Sequence, residues 1–452
     1  MKERQRGRKS SVATKLSMVF PGVGQMLRGQ ITKGLLYVLA TSAFAVFLGV
    51  FGWRYLVHLF SGDLGTRLAG EQWNAELGIY ETVTGDNSFL ILLYGVATAV
   101  ICVLFALVWW MNVKGNRALD KQLENGETPK RFRRDLAEFF DEKLYVPLLI
   151  PPFVGLLVFT LMPLVFMVLI AFTNYDANHT PPGRLFDWVG LENFRSLFSF
   201  SGAGGGFAGV FLRVLVWTFV WAFFSTFSNY FLGMIVALLI NKKGIRFKGL
   251  FRTLFVVVIA VPQFVTLLLM QKILDGSGIL NVLIGKEIHW LTDKTNFSIL
   301  PRLSIILVNL WIGVPYTILM CSGILMNVPK ETYEAARIDG ATPAQIFRKI
   351  TLPYMLHVTT PYLITQFVGN LNNFNVIWLL TGGGPADNVH YGGVNAQSTD
   401  LLVTWLYRLT TDQNPRYNLA SVIGIVIFLV SAALSLITYN RSGAARNEEV
   451  FQ

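Results

Sequence analysis

Residues 329–353 read PKETYEAARIDGATPAQIFRKITLP, a polar and charged stretch between two long apolar ones. The runs on either side, 303–329 and 350–386, contain no Asp, Glu, Lys or Arg. About 20 mostly apolar residues are enough to cross the hydrocarbon core of a bilayer, so both runs are long enough for transmembrane helices. The quoted stretch is therefore predicted to be a polar loop held at a membrane surface between two spans.

The loop carries the start and stop signals of two short helices. Pro329 suits the first turn of one helix, and Asp339-Gly340 ends it. Thr342 and Gln345 then have the spacing of a capping box at the start of a second helix. We predict two short helices joined at Gly340. Such a pair forms a rigid projection that can exert or receive a force.

The rest of the chain extends the apolar pattern. Of its 452 residues 53% are hydrophobic and only 14% are charged, with a mean hydropathy of +0.49. Soluble domains carry about 25% charged residues, so a soluble or disordered protein is excluded. Eight runs of at least 19 residues lack Asp, Glu, Lys and Arg: 34–53, 87–113, 144–175, 214–241, 253–271, 303–329, 350–386 and 417–440. These runs predict an all-α integral membrane protein with eight transmembrane helices, since none alternates as a barrel strand does.

The distribution of basic residues predicts the orientation. The net charge is +11, and 27 of the 38 Lys and Arg residues fall on the side of the bilayer that holds both termini. By the positive-inside rule that side is cytoplasmic, which makes this a multi-pass plasma-membrane protein and argues against a nucleic-acid partner. The predicted segments are a basic cytoplasmic N-terminus (1–33), two spans with a cytoplasmic loop (34–143), a transmembrane domain (144–440) containing the loop 328–353, and a cytoplasmic tail (441–452).

The sequence offers no catalytic machinery that we can identify. It contains no phosphate-binding loop, its five histidines form no metal-ligand motif, and Cys102 and Cys321 lie inside apolar runs. Ion-driven carriers need ionisable groups within the bilayer, and the eight runs have no Asp, Glu, Lys or Arg. We therefore predict a transporter without catalytic residues, metal or cofactor of its own, driven by another subunit. A membrane-embedded glycosyltransferase-like enzyme and a passive sugar channel remain as alternatives.

Neutral polar side chains recur at helical spacing in two of the spans. Amides and phenols supply donors and acceptors for the hydroxyl groups of a sugar without the cost of a buried charge. The alternative role is hydrogen bonding between helices, worth about 0.6 kcal/mol and up to about 1–2 kcal/mol per bond. The candidates are Asn309, Gly313 and Tyr316 with Ile312 beside them, and Gln366, Asn370 and Asn373.

The loop resembles the EAA motif of ABC importer permeases, E-A-A-x₃-G-x₉-I-x-L-P. Every defined position matches: Glu334, Ala335, Ala336, Gly340, Ile350, Leu352 and Pro353. The resemblance implies that the loop docks on a separate ATP-binding subunit and transmits its closure to the spans. Glu334 would pair with a basic group of that subunit, and Gly340 would provide the sharp turn.

Residues 145–440 are similar to the MalF-type, carbohydrate-uptake branch of these permeases. Matching stretches include Ala260-Val261-Pro262, Asn309-Leu310-Trp311 and Asn370-Leu371-Asn372-Asn373-Phe374. The resemblance implies a six-helix type I importer core preceded by two extra spans. It also implies that Asn309, Ile312, Gly313, Tyr316, Asn370 and Asn373 line the substrate site. Where the family carries a Tyr and a Ser beside the Ala-Val-Pro stretch, this chain has Ile259 and Gln263, and Gln263 can still hydrogen-bond a sugar.

The same resemblance implies a set of partners and a substrate. The substrate would be a maltose- or maltodextrin-like oligosaccharide, moved by alternating access across the plasma membrane of a bacterium. ATP and Mg²⁺ would bind on two partner ATPase subunits. The remaining partners would be a second, MalG-type permease subunit, an extracytoplasmic sugar-binding protein and membrane lipid. The connection 176–212 is too short for the large extracytoplasmic domain of the enterobacterial relatives.

Overall fold

The computed structural model describes residues 12–441, apart from 75–76, 127, 129–133, 135–136, 138–139, 203–204 and 243. The basic clusters 2–9 and 130–134 and the tail beyond 441 lie largely or wholly outside the described residues. The chain separates into two compact units, Met1–Gly190 and Leu191–Gln452. Each unit is described by itself below.

The first unit is helical apart from one β-hairpin. Its helices are α1 (Val12–Val19), α2 (Val23–Met26), α3 (Ile31–Phe47), α4 (Trp53–Ser61), α5 (Ser88–Glu124), α6 (Tyr145–Leu156) and α7 (Met162–Ile170). The π-helical segments Leu48–Gly52 and Leu157–Leu161 join α3 to α4 and α6 to α7. The antiparallel strands β1 (Gly70–Asn74) and β2 (Ile79–Val83) form the hairpin, with Trp73 opposite Tyr80.

The described residues of the second unit contain thirteen α-helices. They are α8 (Glu192–Ser196), α9 (Gly206–Asn241), α10 (Lys248–Ala260), α11 (Gln263–Ile273), α12 (Ile279–Ile284), α13 (Ile299–Met326), α14 (Lys330–Ile338), α15 (Pro343–Ile346), α16 (Leu352–Leu371), α17 (Phe374–Thr381), α18 (Asn388–Tyr391), α19 (Leu402–Thr411) and α20 (Tyr417–Arg441). A π-helical segment, Phe347–Thr351, joins α15 to α16 without a break. The second helix of the predicted pair is therefore not short, because it continues into the following span.

Six helices among the described residues are long and apolar enough to cross a membrane. They are Ile31–Ser61, Ser88–Glu124, Tyr145–Ile170, Gly206–Asn241, Asn296–Met326 and Tyr417–Thr438. Each overlaps a predicted span, which confirms the helical membrane fold. The total of eight spans stays a prediction, since the predicted spans 253–271 and 350–386 are each broken.

Proline breaks the predicted span 253–271. The helices α10 and α11 meet at 90° around Val261 and Pro262. Val261 is extended, with φ −77° and ψ 126°, because the ring of a following proline disfavours the helical conformation. The sequence pattern did not predict this bend.

An asparagine side chain breaks the predicted span 350–386. The helix α16 ends at Leu371, and α17 begins after Asn373. The Oδ1 atom of Asn373 accepts a hydrogen bond from the amide of Val376 at 3.3 Å, which caps α17. Asparagine favours helix N-caps over helix interiors because its side chain competes for backbone groups.

Two apolar clusters hold the second unit together. One contains Trp217, Trp221, Leu267, Ile305, Val308, Val376, Ile377, Leu380 and Leu401. The other contains Tyr230, Met234, Ala237, Ile240, Ile318, Cys321, Met355 and Leu363. Since α9, α13 and α16 contribute to this arrangement, the polar residues between the clusters are enclosed by helix packing on both sides.

A buried ion pair joins the segment after α17 to α19. Asp400 is fully buried, and its Oδ2 lies 3.2 Å from Nε of Arg408. Arg408 also donates to the carbonyl oxygen of Gly382, and its guanidinium lies 5.4 Å from the ring of Trp378. Burial raises the pKa of Asp400, and the nearby Arg408 opposes that rise.

Replacing Arg408 by Gln is expected to destabilise the protein strongly. An uncompensated buried carboxylate costs roughly 3–5 kcal/mol. The pKa of Asp400 in the folded variant will lie above its unfolded value, so the loss grows as pH rises and shrinks as pH falls. Thermal unfolding of the purified protein should therefore show a lower midpoint, most clearly at alkaline pH. The exposed Arg184→Gln is the control, and equal midpoints for both variants would contradict a structural role for the pair.

Candidate functional site

A cavity of about 370 Å³ lies between the two apolar clusters of the second unit. Helices α9, α10, α11, α13 and α16 and the α16–α17 break contribute to its wall. All eight predicted substrate residues line it: Gln263, Asn309, Ile312, Gly313, Tyr316, Gln366, Asn370 and Asn373. The volume falls in the usual range of small-molecule sites, about 300–1,000 Å³. The structure brings these side chains together, and contact with a sugar remains a prediction.

The amides of Asn370 and Asn373 form a hydrogen-bonded chain across the cavity wall. Nδ2 of Asn373 donates to Oδ1 of Asn370 at 3.2 Å, and Nδ2 of Asn370 donates to Oγ1 of Thr226 at 3.0 Å. The backbone oxygen of Asn370 accepts from the indole of Trp221 at 3.1 Å. Asn370 therefore bonds α16 to α9, and each amide retains hydrogen-bonding capacity for a second partner.

Polar residues of α9 form a wall that the sequence reasoning missed. Ser225, Thr226, Asn229 and Tyr230 line the cavity, one helical turn apart in pairs. Oγ of Ser225 and Oδ1 of Asn229 are buried without a hydrogen-bond partner among the described residues. Unpaired buried acceptors are costly and uncommon, about 1–3 kcal/mol each. The i, i+4 spacing of Ser225 and Asn229 is visible in the run 214–241, but spacing alone does not tell which face of α9 meets the cavity.

Gly313 permits the close approach of α13 to α9. A Cβ atom at Gly313 would lie 2.7 Å from Cγ of Asn229, well inside van der Waals contact. Gly313 was predicted to line the cavity, and its lack of a side chain also makes room for the Asn229 amide. The glycine therefore sets the shape of the wall as well as its surface.

The helical pair 329–353 folds around a glycine in the left-handed conformation. Gly340 has φ 78°, and the amide of Ala341 donates to the carbonyl of Ala336 at 2.9 Å. Residues with a Cβ rarely adopt this conformation, so the turn favours glycine. The predicted capping box is present, with the amide of Thr342 donating to Oε1 of Gln345 at 2.8 Å.

The pair presents an open groove and an exposed helix. A space of about 380 Å³ is lined by Ala336, Asp339, Gly340, Ala341, Gln345, Ile346, Lys349 and Ile350. Glu334 is exposed on α14, and Ile338 is 86% exposed at the end of that helix. Among the other motif residues, Ala335 and Pro353 are exposed, whereas Leu352 is half-buried against the Met355 cluster. A polar groove with an exposed apolar side chain beside it is a typical protein docking surface.

Comparison with known proteins identifies the fold and the family. The family described as "Binding-protein-dependent transport system inner membrane component" matches residues 229–443. The structure also resembles a bacterial ABC transporter solved with an alginate pentasaccharide-bound periplasmic protein, with a TM-score of 0.53 and 22% identity over 68% of this chain and 96% of that one. At that identity the resemblance supports the fold alone.

Curated relatives cover nearly the whole chain. It is 33% identical to the maltodextrin transport system permease protein MdxF of Bacillus subtilis (strain 168), over 96% of both chains. It is 34% identical to the galactooligosaccharides transport system permease protein GanP of the same organism, over 94% of this chain and 96% of that one. MalF of Escherichia coli (strain K12) is 36% identical over 46% of this chain and 40% of its own length. The chain therefore belongs to the MalF-type family of sugar-uptake permease subunits of binding-protein-dependent ABC importers.

Proposed function

We propose that this chain forms half of a translocation pathway for a neutral oligosaccharide and that the 370 Å³ cavity is its substrate site. The observation that carries the proposal is the convergence of eight neutral candidate residues on one cavity between two apolar clusters. Sugar hydroxyls need both donors and acceptors, and the amides of Asn309, Asn370 and Asn373 offer both. The ring of Tyr316, which is 55% exposed at the cavity, can stack on the apolar face of a sugar.

The α9 wall adds acceptors to this site. Ser225 and Asn229 hold unsatisfied oxygen atoms beside the cavity. A sugar hydroxyl that reached either atom would replace an unfavourable buried group with a hydrogen bond. The sugar-bound state is thereby favoured over the empty state, in which these oxygen atoms stay without a hydrogen-bond partner.

The chain supplies a packed route between the helical pair and the cavity. Phe347 and Leu352, which follow the turn at Gly340, pack against the apolar cluster that contains Tyr230. The hydroxyl of Tyr230 accepts a hydrogen bond from Thr359 at 2.8 Å, and Tyr230 also lines the cavity. We infer that movement of the docked pair shifts α16 against α9 and alternately opens the cavity to the two sides of the membrane.

The partners follow from this mechanism. The exposed face around Glu334 and Ile338 would dock on an ATP-binding subunit, and two such subunits would hold ATP and Mg²⁺. A MalG-type permease subunit would complete the pathway, and an extracytoplasmic binding protein would deliver the sugar. We expect eight spans with both termini in the cytoplasm of a bacterium, an orientation that puts the helical pair on the side of the ATP-binding subunits. Neither alternative, a glycosyltransferase-like enzyme or a passive channel, would need the turn at Gly340 or the groove beside it.

The proposed substrate is a maltodextrin-like oligosaccharide, and a galactooligosaccharide is the second candidate. Permeases named for maltodextrin are 33% and 31% identical to this chain over 96% of its length. The galactooligosaccharide permease GanP is equally similar, so overall identity does not choose between the two sugar classes. Uptake of labelled maltotriose and of a labelled galactotriose by the reconstituted importer, each loaded on the cognate binding protein, would decide between them.

Replacing Asn373 by Leu is expected to lower maltotriose uptake at least tenfold. The change removes a cavity amide and leaves the backbone amide of Val376 without its cap. The matched control is Asn372→Leu, since Asn372 is exposed and does not line the cavity. Initial uptake rates should be compared at equal membrane levels of both variants. If Asn373→Leu transports every sugar tried with normal kinetics, the cavity amides serve only to pack the helices.

Replacing Ser225 by Ala is expected to raise the half-saturating concentration of the transported sugar up to about tenfold, the equivalent of one hydrogen bond of roughly 1–1.5 kcal/mol. The change removes a hydroxyl without adding volume. Ser228→Ala on the same helix is the control, because Ser228 does not line the cavity. If both variants match the wild type in transport kinetics, the α9 wall does not contact the substrate.

Replacing Gly340 by Val is expected to uncouple sugar uptake from ATP hydrolysis. Valine resists the φ of 78° at this turn, so the pair of helices cannot keep its shape. Gly244→Val is the control, because Gly244 also has a positive φ, 94°, with open space around it. Uptake, ATPase activity and subunit co-purification should be measured together. Unchanged coupling in Gly340→Val, with the complex intact, contradicts the proposed role of the turn.

A further inference from the structure

The first helix of the chain has its polar and apolar faces reversed. The buried residues of α1 are Thr14 and Ser17, both polar, whereas Val12 and Val19 are 74% and 71% exposed. Phe20, which follows the helix, is 63% exposed. Surface helices of soluble proteins bury the apolar face instead. The exposed face of α1 therefore suits an apolar surrounding rather than water.

The polar face of α1 is bonded to a stripe of polar residues on α5. Asn112, Asn116 and Asp120 follow one another at i, i+4 and i+8, so they lie on one side of the helix. Nδ2 of Asn112 donates to the backbone oxygen of Ser17 at 2.8 Å, and Nδ2 of Asn116 donates to its hydroxyl at 2.9 Å. Oγ1 of Thr14 donates to Oδ2 of Asp120 at 2.6 Å. These hydrogen bonds give the polar groups of α1 and α5 partners within the protein, which lipid could not provide.

The segment 21–25 begins as a turn at Pro21 and Gly22 and continues into α2, which packs beside α1 and α3. A Cβ atom at Gly24 would lie 2.7 Å from the carbonyl oxygen of Ala13, and one at Gly34 would lie 2.6 Å from that of Gly22. The glycines therefore allow backbone contact at both positions. The segment has a structural purpose: it fixes the reversed helix in place.

The contacts of α1 lie at a level of α5 that is typical of the membrane boundary. The indole of Trp109 donates to the backbone oxygen of Met18 at 2.8 Å. The neighbouring Trp110 is 53% exposed, and the ammonium of Lys114 lies 4.8 Å from its ring. Tryptophan and lysine concentrate where the acyl chains meet the headgroups, with the lysine amine reaching toward water.

A span-length helix of the same unit also exposes apolar side chains. Ile31, Leu35 and Leu39 of α3 are 62%, 47% and 57% exposed, and α3 belongs to a span-length apolar helix. The sequence before α1 carries Lys2, Arg4, Arg6, Arg8 and Lys9 against one acid, Glu3. Basic residues beside an anionic lipid surface contribute about 1 kcal/mol each. The apolar face and the charge together select one occupant, a lipid surface with anionic headgroups.

We propose that residues 12–30 form an interfacial anchor that lies in the headgroup–acyl boundary and prefers anionic lipid. Val12, Leu16, Val19 and Phe20 contact acyl chains, while Thr14 and Ser17 hold the anchor to α5. The positive charge of the sequence before α1 favours anionic headgroups. The anchor shares no residue with the sugar cavity, so a test of the anchor does not depend on the transport proposal.

Spin-label accessibility tests the depth of the anchor. A nitroxide at Val19→Cys, in a full-length chain with Cys102 and Cys321 replaced by Ala, is measured in lipid nanodiscs. We expect the label to collide more with oxygen, which concentrates in lipid, than with a water-soluble nickel chelate. Glu71→Cys, at an exposed position of β1, should show the opposite preference. A Val19 label that favours the nickel chelate, or one shielded from both reagents by protein, overturns the proposal.

Lipid composition tests the preference for anionic headgroups. Adding phosphatidylglycerol to phosphatidylcholine nanodiscs should raise the oxygen-to-nickel accessibility ratio of the Val19 label severalfold. In a variant with Gln at positions 2, 4, 6, 8 and 9, the same addition should have no effect. An equal response in both proteins, or none in either, contradicts a role for the basic residues in lipid selection.

Discussion

The bilayer offers no hydrogen bonds, and this constraint governs the polar groups of the membrane-spanning helices. A donor or acceptor within the hydrocarbon region must find its partner in the protein or in a filled cavity. The chain meets this condition by gathering its neutral polar side chains between two apolar clusters, where the helices shield them from lipid. The same condition accounts for α1, where the backbone oxygen and the hydroxyl of Ser17 accept hydrogen bonds from the Asn112 and Asn116 amides of α5. Polar residues are few in the spans because each one needs a hydrogen-bond partner in the protein or in the cavity.

Breaks in two of the predicted spans bring helix ends to the wall of the cavity. A straight helix presents side chains at fixed intervals, whereas the bends at Pro262 and Asn373 turn helix ends toward the same space. Both breaks follow from local chemistry, since one residue lacks an amide hydrogen and the other caps a helix with its own side chain. Irregular backbone at membrane depth is tolerated where it lines such a cavity.

The sequence predicted the helical membrane fold and the turn at Gly340 because both depend on local patterns. Charge-free runs mark helices, and Thr342 with Gln345 has the spacing of a helix start. Helical spacing also found the cavity residues of α13 and α16, such as Asn309 and Asn370. It missed Ser225 and Asn229, because which face of α9 meets the cavity is set by distant packing. The two broken spans were likewise hidden, since a charge-free run measures composition and not the path of the backbone.

The amide of Asn373 serves two purposes at once, because it lines the cavity and caps α17. Any substitution there changes the start of a helix together with the surface of the cavity. Gln263 and Gln366 also line the cavity but are exposed and cap no helix. A substitution at either glutamine therefore changes the surface of the cavity alone, whereas one at Asn373 also removes the cap of α17.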